Sequence, residues 1–553
     1  MGSWTKLTIK NYRSVGSQID LRYSVGFPLI LAGENNSGKS NIAHALDMIL
    51  GETWPNSEPE DHDFHNRDKS LIIEIAVDVE DVIHSTSSGR TNRVLQFVWR
   101  YPTADGRLLR MILDNGSENS YVSSDTREQC VCIFIGADRR LSYQLSYATK
   151  YTFLSKLMRK FHQALTEDAD RVQRLRSRFE ETKSTFQEVE SFTAFADELK
   201  KQVAEFSGNF EYGLQIDFSA YDPSNYFHAL RIYPHKGEET LSFDELGTGQ
   251  EQMLALSFAC AYASAFHGSG GGLTLIIEEP EVHLHPLAQK WVATKIYELA
   301  RQGVQIVVTT HSPLFLNVLN LEGTALLRKQ DDVTQVTQLT SKELAAYCVK
   351  HGAAKATSEN ILALYGAAAT DEIMAGLFSR RIVLVEGPSE TQALPVYFSK
   401  LELECSKSGI AIIPVHGVGN IAKWWRFFRA YGIPVYVIFD NDTEDDADET
   451  RRNDILDTLS VTEENVRKKL LEAQTLIVGS KLAVFGSNFE ASLRSLFGEK
   501  YVELEKEACD IYGLSTNRAK PLVARYIADN MPYQETSPGW QALNELKQKV
   551  AAM

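Results

Sequence analysis

The chain is short of cysteine, of basic charge and of long apolar runs, and each shortage removes a class of explanation. Six cysteines in 553 residues make no disulfide framework. Cys130 and Cys132 stand two apart, but no second pair at zinc spacing follows them. Basic residues number 57 against 73 acidic ones, a net charge of −16. That balance argues against a generally polyanion-binding surface, because phosphate contacts need Lys and Arg; any nucleic-acid contact has to be local, metal-bridged or helped by a partner. The longest apolar stretch, Met253 to Phe266, is too short for a bilayer and reads as a buried helix. The N-terminal MGSWTKLTIKNYRS has no apolar signal core, and Lys6 stands where a myristoylation motif needs Ser or Thr. A cytoplasmic protein with no membrane partner is expected. Hydrophobic residues at 43% and charged residues at 24% fit a globular chain of two to four domains.

Residues 5–140 alternate short β-rich runs (LTIKNY, FPLILA, SLIIEIAVDV, RVLQFVWRY, CVCIFIG) with one strong helix that begins at a Gly-rich loop. From Tyr147 to Ser207, charged stretches carry apolar residues at three- and four-residue spacing, which predicts a helical arm. Strand texture returns at Tyr212–Tyr233, followed by a helix at about Gly249–Phe266 and strands at Leu273–Ile277 and Val304–Thr309. Between Lys329 and Glu372 a polar, Ala-rich stretch reads as a helical connector. From Arg380 onward, RIVLVEG, IAIIPVHG, PVYVIFD, TLIVG and LAVFG alternate with helices, the pattern of a parallel α/β sheet.

The stretch GENNSGKSN satisfies G-x-x-x-x-G-K-S at Gly33, Gly38, Lys39 and Ser40, after a strand and before a helix. Glycines let backbone N–H groups approach phosphates, and the helix N-terminus adds its positive end. Lys39 is placed for the β- and γ-phosphates and Ser40 for Mg²⁺, with Asn35, Asn36, Ser37 and Asn41 completing the loop. Further on, LTLIIEEPEVHLHP ends a buried strand in Glu278, suited to the metal side, and Glu279, suited to polarising water. VQIVVTTHSP puts His311 at another strand end, within reach of a γ-phosphate. His283 and His285 have the look of a metal pair, but on a loop after the acids they read better as packing or interface residues. DELGTGQEQ, with Gly247, Thr248, Gly249 and Gln250, is a Gly-rich turn opening a helix, able to cradle an anion and weak evidence alone.

In this order the four elements resemble the ABC-type ATPase head of SMC and RecF-like proteins. The resemblance implies that ATP brings two heads together, the Gly-rich signature of one closing on the nucleotide of the other. Glu278 replaces the family's Asp, and Gly247-Thr248-Gly249 replaces Ser-Gly-Gly; slow hydrolysis, with ATP acting mainly as a clamp, is therefore expected.

A second constellation lies downstream. Glu386 ends one strand with Glu390 four residues later, and Asp440 and Asp442 end another. Carboxylates gathered at the C-terminal edge of a parallel sheet repel unless a hard divalent cation neutralises them. Two such ions, about 4 Å apart, can stabilise both the attacking and the leaving oxygen of a phosphodiester. The spacing resembles the Toprim domain of topoisomerases, primases, RecR and certain nucleases. A solvated acidic loop explains Glu444–Asp448 but not the strand-ending acids. Glu490, in GSNFEASL, could add a ligand, and Lys520, in TNRAKPLVARYIAD, could neutralise the transition state.

An ABC-type head followed by a Toprim domain resembles the OLD (overcoming lysogenization defect) nucleases over nearly the whole chain, through IKNYRSV, GENNSGKSN, LGTGQEQ, LIIEEPEVHLHP, TTHSP, VEGPSE, VHGVGN and FDNDTED. The resemblance implies an α/β fold with the head in residues 1–146 and 211–330, an inserted helical dimerisation arm in 147–210, a helical connector in 331–378 and the Toprim nuclease domain in 379–553. It places Glu490 and Lys520 where a C-terminal acid and a catalytic lysine belong. It implies an ATP-regulated DNA endonuclease acting as a homodimer or larger, with one Mg²⁺ beside ATP and two Mg²⁺ or Mn²⁺ ions at the Toprim site. The family logic is that of anti-phage systems such as Gabija, where a separately encoded helicase works beside the nuclease. Two other readings stand: an ATP-driven sensor or scaffold with a vestigial Toprim site that controls a separate effector, and an RNA-cleaving Toprim enzyme.

Overall fold

A computed structural model describes residues 2–51, 54–55, 57–85, 91–136, 165–188, 190, 193–194, 197, 235–236, 239–240, 245–266, 272–441 and 449–553. The chain divides into two compact units. The first comprises residues 1–135, 267–281 and 285–553, and the second residues 136–266 with 282–284.

The first unit holds three sheets. In the N-terminal antiparallel sheet, β1 (Ser3–Lys10) pairs with β2 (Ile19–Arg22) and β4 (Ile73–Ser85), and the sheet continues through β5 (Thr91–Tyr101), β6 (Leu109–Leu113) and β7 (Glu118–Asn119). The second sheet runs β14–β13–β3–β12–β11–β8, from β3 (Leu29–Gly33), β8 (Cys130–Ile135), β11 (Gly272–Glu278), β12 (Gln305–Thr310), β13 (Thr324–Gln330) and β14 (Val333–Gln338). All its pairings are parallel except β13–β14. LILAG in β3 and QIVVTT in β12 are buried throughout, as strands covered on both faces must be. The helix Lys39–Leu50 buries Ile42, Ala43, Leu46, Ile49 and Leu50 along one stripe.

The third sheet runs β16–β15–β17–β19–β18, from β15 (Arg381–Val385), β16 (Ile410–Pro414), β17 (Val435–Asp440), β18 (Ile477–Val478) and β19 (Leu482–Phe485). Its pairings are parallel apart from the short edge strand β18, which lies antiparallel to β19. Its core gathers Tyr397, Phe398, Tyr436, Trp540 and Leu543.

The expected connector at 331–378 begins differently. Residues 333–338 form β14 of the second sheet, and the helices come only afterwards, at Ser341–Lys350, Ile361–Gly366 and Asp371–Ala375.

In the second unit, the helix Ala169–Gln187 falls inside the expected arm. Most of residues 147–207 and the expected strand at 212–233 lie outside the described residues. A small hairpin pairs β9 (His235–Lys236) with β10 (Glu239–Thr240), and a helix spans Thr248–Phe266. Among the described residues no helix is long and apolar enough to cross a membrane.

Candidate functional site

The phosphate loop joins β3 to the helix Lys39–Leu50, and Gly38 caps that helix at φ 102, a conformation that favours glycine. A Cβ on Gly38 would strike the hydroxyls of Thr334 and Ser14. Those hydroxyls brace the loop: Thr334 Oγ1 donates to the Ser37 carbonyl at 2.9 Å and lies 2.8 Å from Ser14 Oγ, which accepts from Asn41 Nδ2 at 2.7 Å. Lys39 is buried, with Nζ donating to the carbonyls of Gly33 (3.0 Å) and Glu34 (2.9 Å). Burial lowers its pKa to about 8 against the upward pull of Glu279, Glu281 and Glu34. Ser40 is exposed in the first helical turn.

Parallel pairing of β11 with β12 and of β12 with β3 lines up their C-terminal ends beside this loop. Glu278 closes β11 and is buried. Glu279 turns out of the strand at φ 42 and approaches His311, with Oε1 3.3 Å from Nε2. The other ring nitrogen of His311 lies 3.4 Å from Lys39 Nζ. Burial and the Lys39 charge lower the pKa of His311, with Glu279 opposing. Lys39, His311 and Glu279 thus form one contiguous row. His285 accepts from Ala288 N–H at 3.2 Å and caps the helix Pro286–Arg301, a structural role. In the second unit, Gly247 N–H donates to Gln250 Oε1 at 3.1 Å, and its carbonyl accepts from the N–H groups of Gln250 and Glu251 as the helix opens.

At the other end of the first unit, β15 and β17 are neighbours, so Glu386 and Asp440 meet at the C-terminal edge of the sheet. Asp440 N–H donates to Glu386 Oε1 at 2.7 Å, and the Glu386 carbonyl accepts from Gly417 N–H, in the VHGVGN loop, at 3.1 Å. Glu390 lies buried in the first turn of the helix Pro388–Lys400. Glu490 opens the helix Phe489–Phe497 and accepts from Ser389 Oγ at 2.8 Å. Burial, then the negative charges of Glu386 and Glu490, push Glu390 up to about 8. Asp440 is raised well above the usual carboxylate range by burial and by Glu390 and Glu386. Its Oδ1 is buried with no hydrogen-bond partner. An all-oxygen, mutually repelling donor set with an orphaned carboxylate oxygen fits a hard divalent cation. Among the described residues no three such side chains already stand at ligand spacing; Asp442 lies outside the described residues. Lys520 is exposed beside the backbone break at Ala519 and has no hydrogen-bond or ion-pair partner among the described residues. Its helix, Thr516–Asn530, packs on the helix that carries Glu390.

Sequence reasoning missed Ser14, Thr334, Glu281 and the pairing of Glu34 with Arg380. Glu281 had a signal, the third acid of EEPE; Thr334 lies on a strand read as connector.

Residues 5–97 and 119–316, together more than half of the chain, match the AAA ATPase domain family. Residues 377–442 match the TOPRIM domain of overcoming lysogenization defect-like proteins. The chain is 28% identical to the OLD nuclease of Thermus scotoductus, over 84% of this chain and 87% of that one. It is 22% identical to the endonuclease GajA of Bacillus cereus, over 75% of this chain and 71% of that one. A solved structure of the C-terminal region of the Burkholderia pseudomallei OLD protein aligns with 32% of this chain and 99% of its own, at 19% identity and a TM-score of 0.24.

Proposed function

The chain belongs to the AAA ATPase domain family and carries an OLD-like TOPRIM domain behind that head, and from this premise we propose an ATP-controlled, divalent-metal-dependent DNA endonuclease of the OLD family. The observation that carries the reading is the meeting of Glu386, Glu390, Asp440 and Glu490 at one sheet edge, with a buried carboxylate oxygen left unbonded. An ordinary structural role would not leave the buried Asp440 Oδ1 without a donor beside other carboxylates.

Divalent ions held there would supply a water acidified toward neutrality and a clamp on the scissile phosphodiester. Glu386, held by the Asp440 N–H, serves as ligand or base. Glu390, Asp440, Asp442 and Glu490 are the remaining oxygen donors, and Lys520 is the counter-charge for the transition state. At the head, Lys39 and the loop Gly33–Asn41 hold the triphosphate, Ser40 and Glu278 the accompanying Mg²⁺, and His311 and Glu279 the terminal phosphate and water. Gly247, Thr248, Gly249 and Gln250 serve the nucleotide of a second copy in a homodimer. Duplex DNA is the proposed substrate and anti-phage defence or DNA processing the setting.

The test is supercoiled plasmid with Mg²⁺ or Mn²⁺, with and without ATP, beside Asp440→Ala. Nicking or linearisation lost in the variant supports the nuclease. Absence of cutting in the parent with ATP turnover intact favours the ATP-driven sensor, a reading suited to a donor set that is not fully gathered among the described residues. RNA under the same conditions separates the substrates.

A further inference from the structure

Glu281 neither ends a strand nor faces Lys39 directly, yet its carboxylate decides where His311 stands. Its Oε1 accepts from the His311 backbone N–H at 2.6 Å and from Thr310 Oγ1 at 2.8 Å. Two residues earlier, Glu279 N–H donates to the carbonyl of Thr309 at 2.9 Å and approaches Thr309 Oγ1 at 3.2 Å. Three consecutive residues after the centre of β12 are therefore tied to the turn that follows β11. We infer that Glu281 is the positioning residue of the ATPase site, holding the His311 backbone so that the imidazole stands between Glu279 and Lys39.

The geometry demands such a device. Besides a hydrogen bond to the Gly33 backbone, the imidazole meets Glu279 at 3.3 Å and Lys39 at 3.4 Å through its two nitrogens, and both of these contacts sit at the outer limit of useful reach. A shift of about 1 Å in the backbone would abolish one of them, and misplacement on that scale costs on the order of 100-fold in rate. The ring is partly exposed, so its contacts leave the backbone that carries it free to shift. A charge-assisted bond to the residue's own N–H fixes it, because it acts on the backbone from which the ring projects. Glu281 Oε2 is buried without a hydrogen-bond partner, so the carboxylate is committed to this one task through its other oxygen. A residue that merely stapled two strands together would have no reason to end on the histidine's amide.

The inference rests on ATP hydrolysis at the head, so the parent's nucleotide binding and turnover are measured first; a parent without turnover removes that reading. The contact itself is tested without nucleotide, by hydrogen exchange of the segment 306–316. Glu281→Ala is expected to lower kcat for ATP about 10-fold or more while the Kd for a fluorescent ATP analogue stays within about twofold. The same variant should speed exchange at the His311 amide. Glu281→Gln keeps the accepting oxygen and should restore both kcat and protection. Parental kcat in Glu281→Ala, or Glu281→Gln as impaired as the alanine variant, overturns the inference. Should the alanine variant fail to fold, Glu281→Asp decides: reduced kcat with retained nucleotide binding and faster His311 exchange supports it, and parental kcat overturns it.

Discussion

Arg380 Nε lies 3.0 and 3.3 Å from the two carboxylate oxygens of Glu34, so a side chain at the foot of the Toprim sheet is ion-paired to the phosphate loop. Arg380 immediately precedes β15 and Glu386 immediately follows it. One strand, about 17–20 Å from end to end, therefore runs from the Gly33–Asn41 loop to the carboxylate edge. Glu34 is also the residue whose carbonyl holds Lys39 Nζ at 2.9 Å. Arg328 adds a second tie, donating to the carbonyls of Gly432 (3.1 Å) and Arg380 (2.7 Å). A cavity of about 570 Å³ opens between these groups, lined by Asn35, Asn36, Arg328, Arg380 and Arg381.

Triphosphate arriving at Lys39 competes for the ammonium that Glu34 now shares, and brings negative charge beside the Glu34 carboxylate. The Glu34–Arg380 pair is exposed and worth at most about 1 kcal/mol, so breaking it should change communication more than stability. Arg380→Ala is expected to bring the ratio of cleavage rates with and without ATP close to one, while the rate without ATP stays within about threefold of the parent. The charge-reversed double variant Glu34→Arg/Arg380→Glu should recover part of the ratio. An unchanged ATP effect in Arg380→Ala would remove this pair from the coupling.

Asp440 gives a metal-free readout. Its folded pKa lies above the unfolded value, so it binds a proton more tightly when folded, and stability falls as pH rises from about 4 through the folded pKa. At neutral pH the folded site must hold protons that the unfolded chain has released, and Asp440→Asn, which removes that cost, should raise the chelator-treated melting temperature by a few degrees, corresponding to about 1–3 kcal/mol. Mg²⁺ or Mn²⁺ should stabilise the parent and not the variant, and cleavage should be lost. Equal metal-induced shifts in both proteins would argue that the ion sits elsewhere.

The strand-ending acids were legible because buried apolar runs such as VLV and VYVIF leave little doubt about where a strand stops, and a carboxylate at that point has no ordinary packing role. The nucleotide loop was legible for the same reason: LILA, then glycines, then a helix. What the sequence hid was β14. VTQVTQ has β-branched residues at Val333, Thr334, Val336 and Thr337, and Asp331 and Asp332 adopt φ 49 and φ 63, a tight hairpin turn of two acids. Read for polarity, the segment merges with the Ala-rich helices after it; read for its β-branched residues and the acidic turn before it, it is a strand. The cross-chain ties from Thr334 to Ser37 and from Arg380 to Glu34 carry no local pattern, because each joins residues hundreds of positions apart.

Thr334 tests whether β14 serves the nucleotide site. Its hydroxyl is fully buried and braces both the Ser37 carbonyl and Ser14. Thr334→Val keeps shape and removes the bonds, leaving a buried carbonyl short of a donor at a cost of about 1–3 kcal/mol. ATP affinity should fall about 5-fold or more, with Thr334→Ser close to the parent. Parental affinity in the valine variant would show that the loop holds its shape without this brace.

Lys39 supplies a signature of binding that needs no turnover. Burial brings its pKa from 10.5 to about 8 in the nucleotide-free protein, so above that pH the ammonium is increasingly neutral. A triphosphate within reach favours the charged form and pulls the pKa back up. Binding above pH 8 must then take up a proton, whereas near pH 7 Lys39 is already charged and little is exchanged. Calorimetric titration with ATP in two buffers of different ionisation enthalpy, at about pH 7 and about pH 8.5, measures this directly. Uptake should approach a large fraction of one proton at the higher pH, affinity should weaken as pH rises, and Lys39→Met should abolish the pH dependence along with most of the affinity. Proton exchange identical at both pH values would mean that the buried lysine keeps its charge before ATP arrives, held by the carbonyls of Gly33 and Glu34 strongly enough to offset its burial.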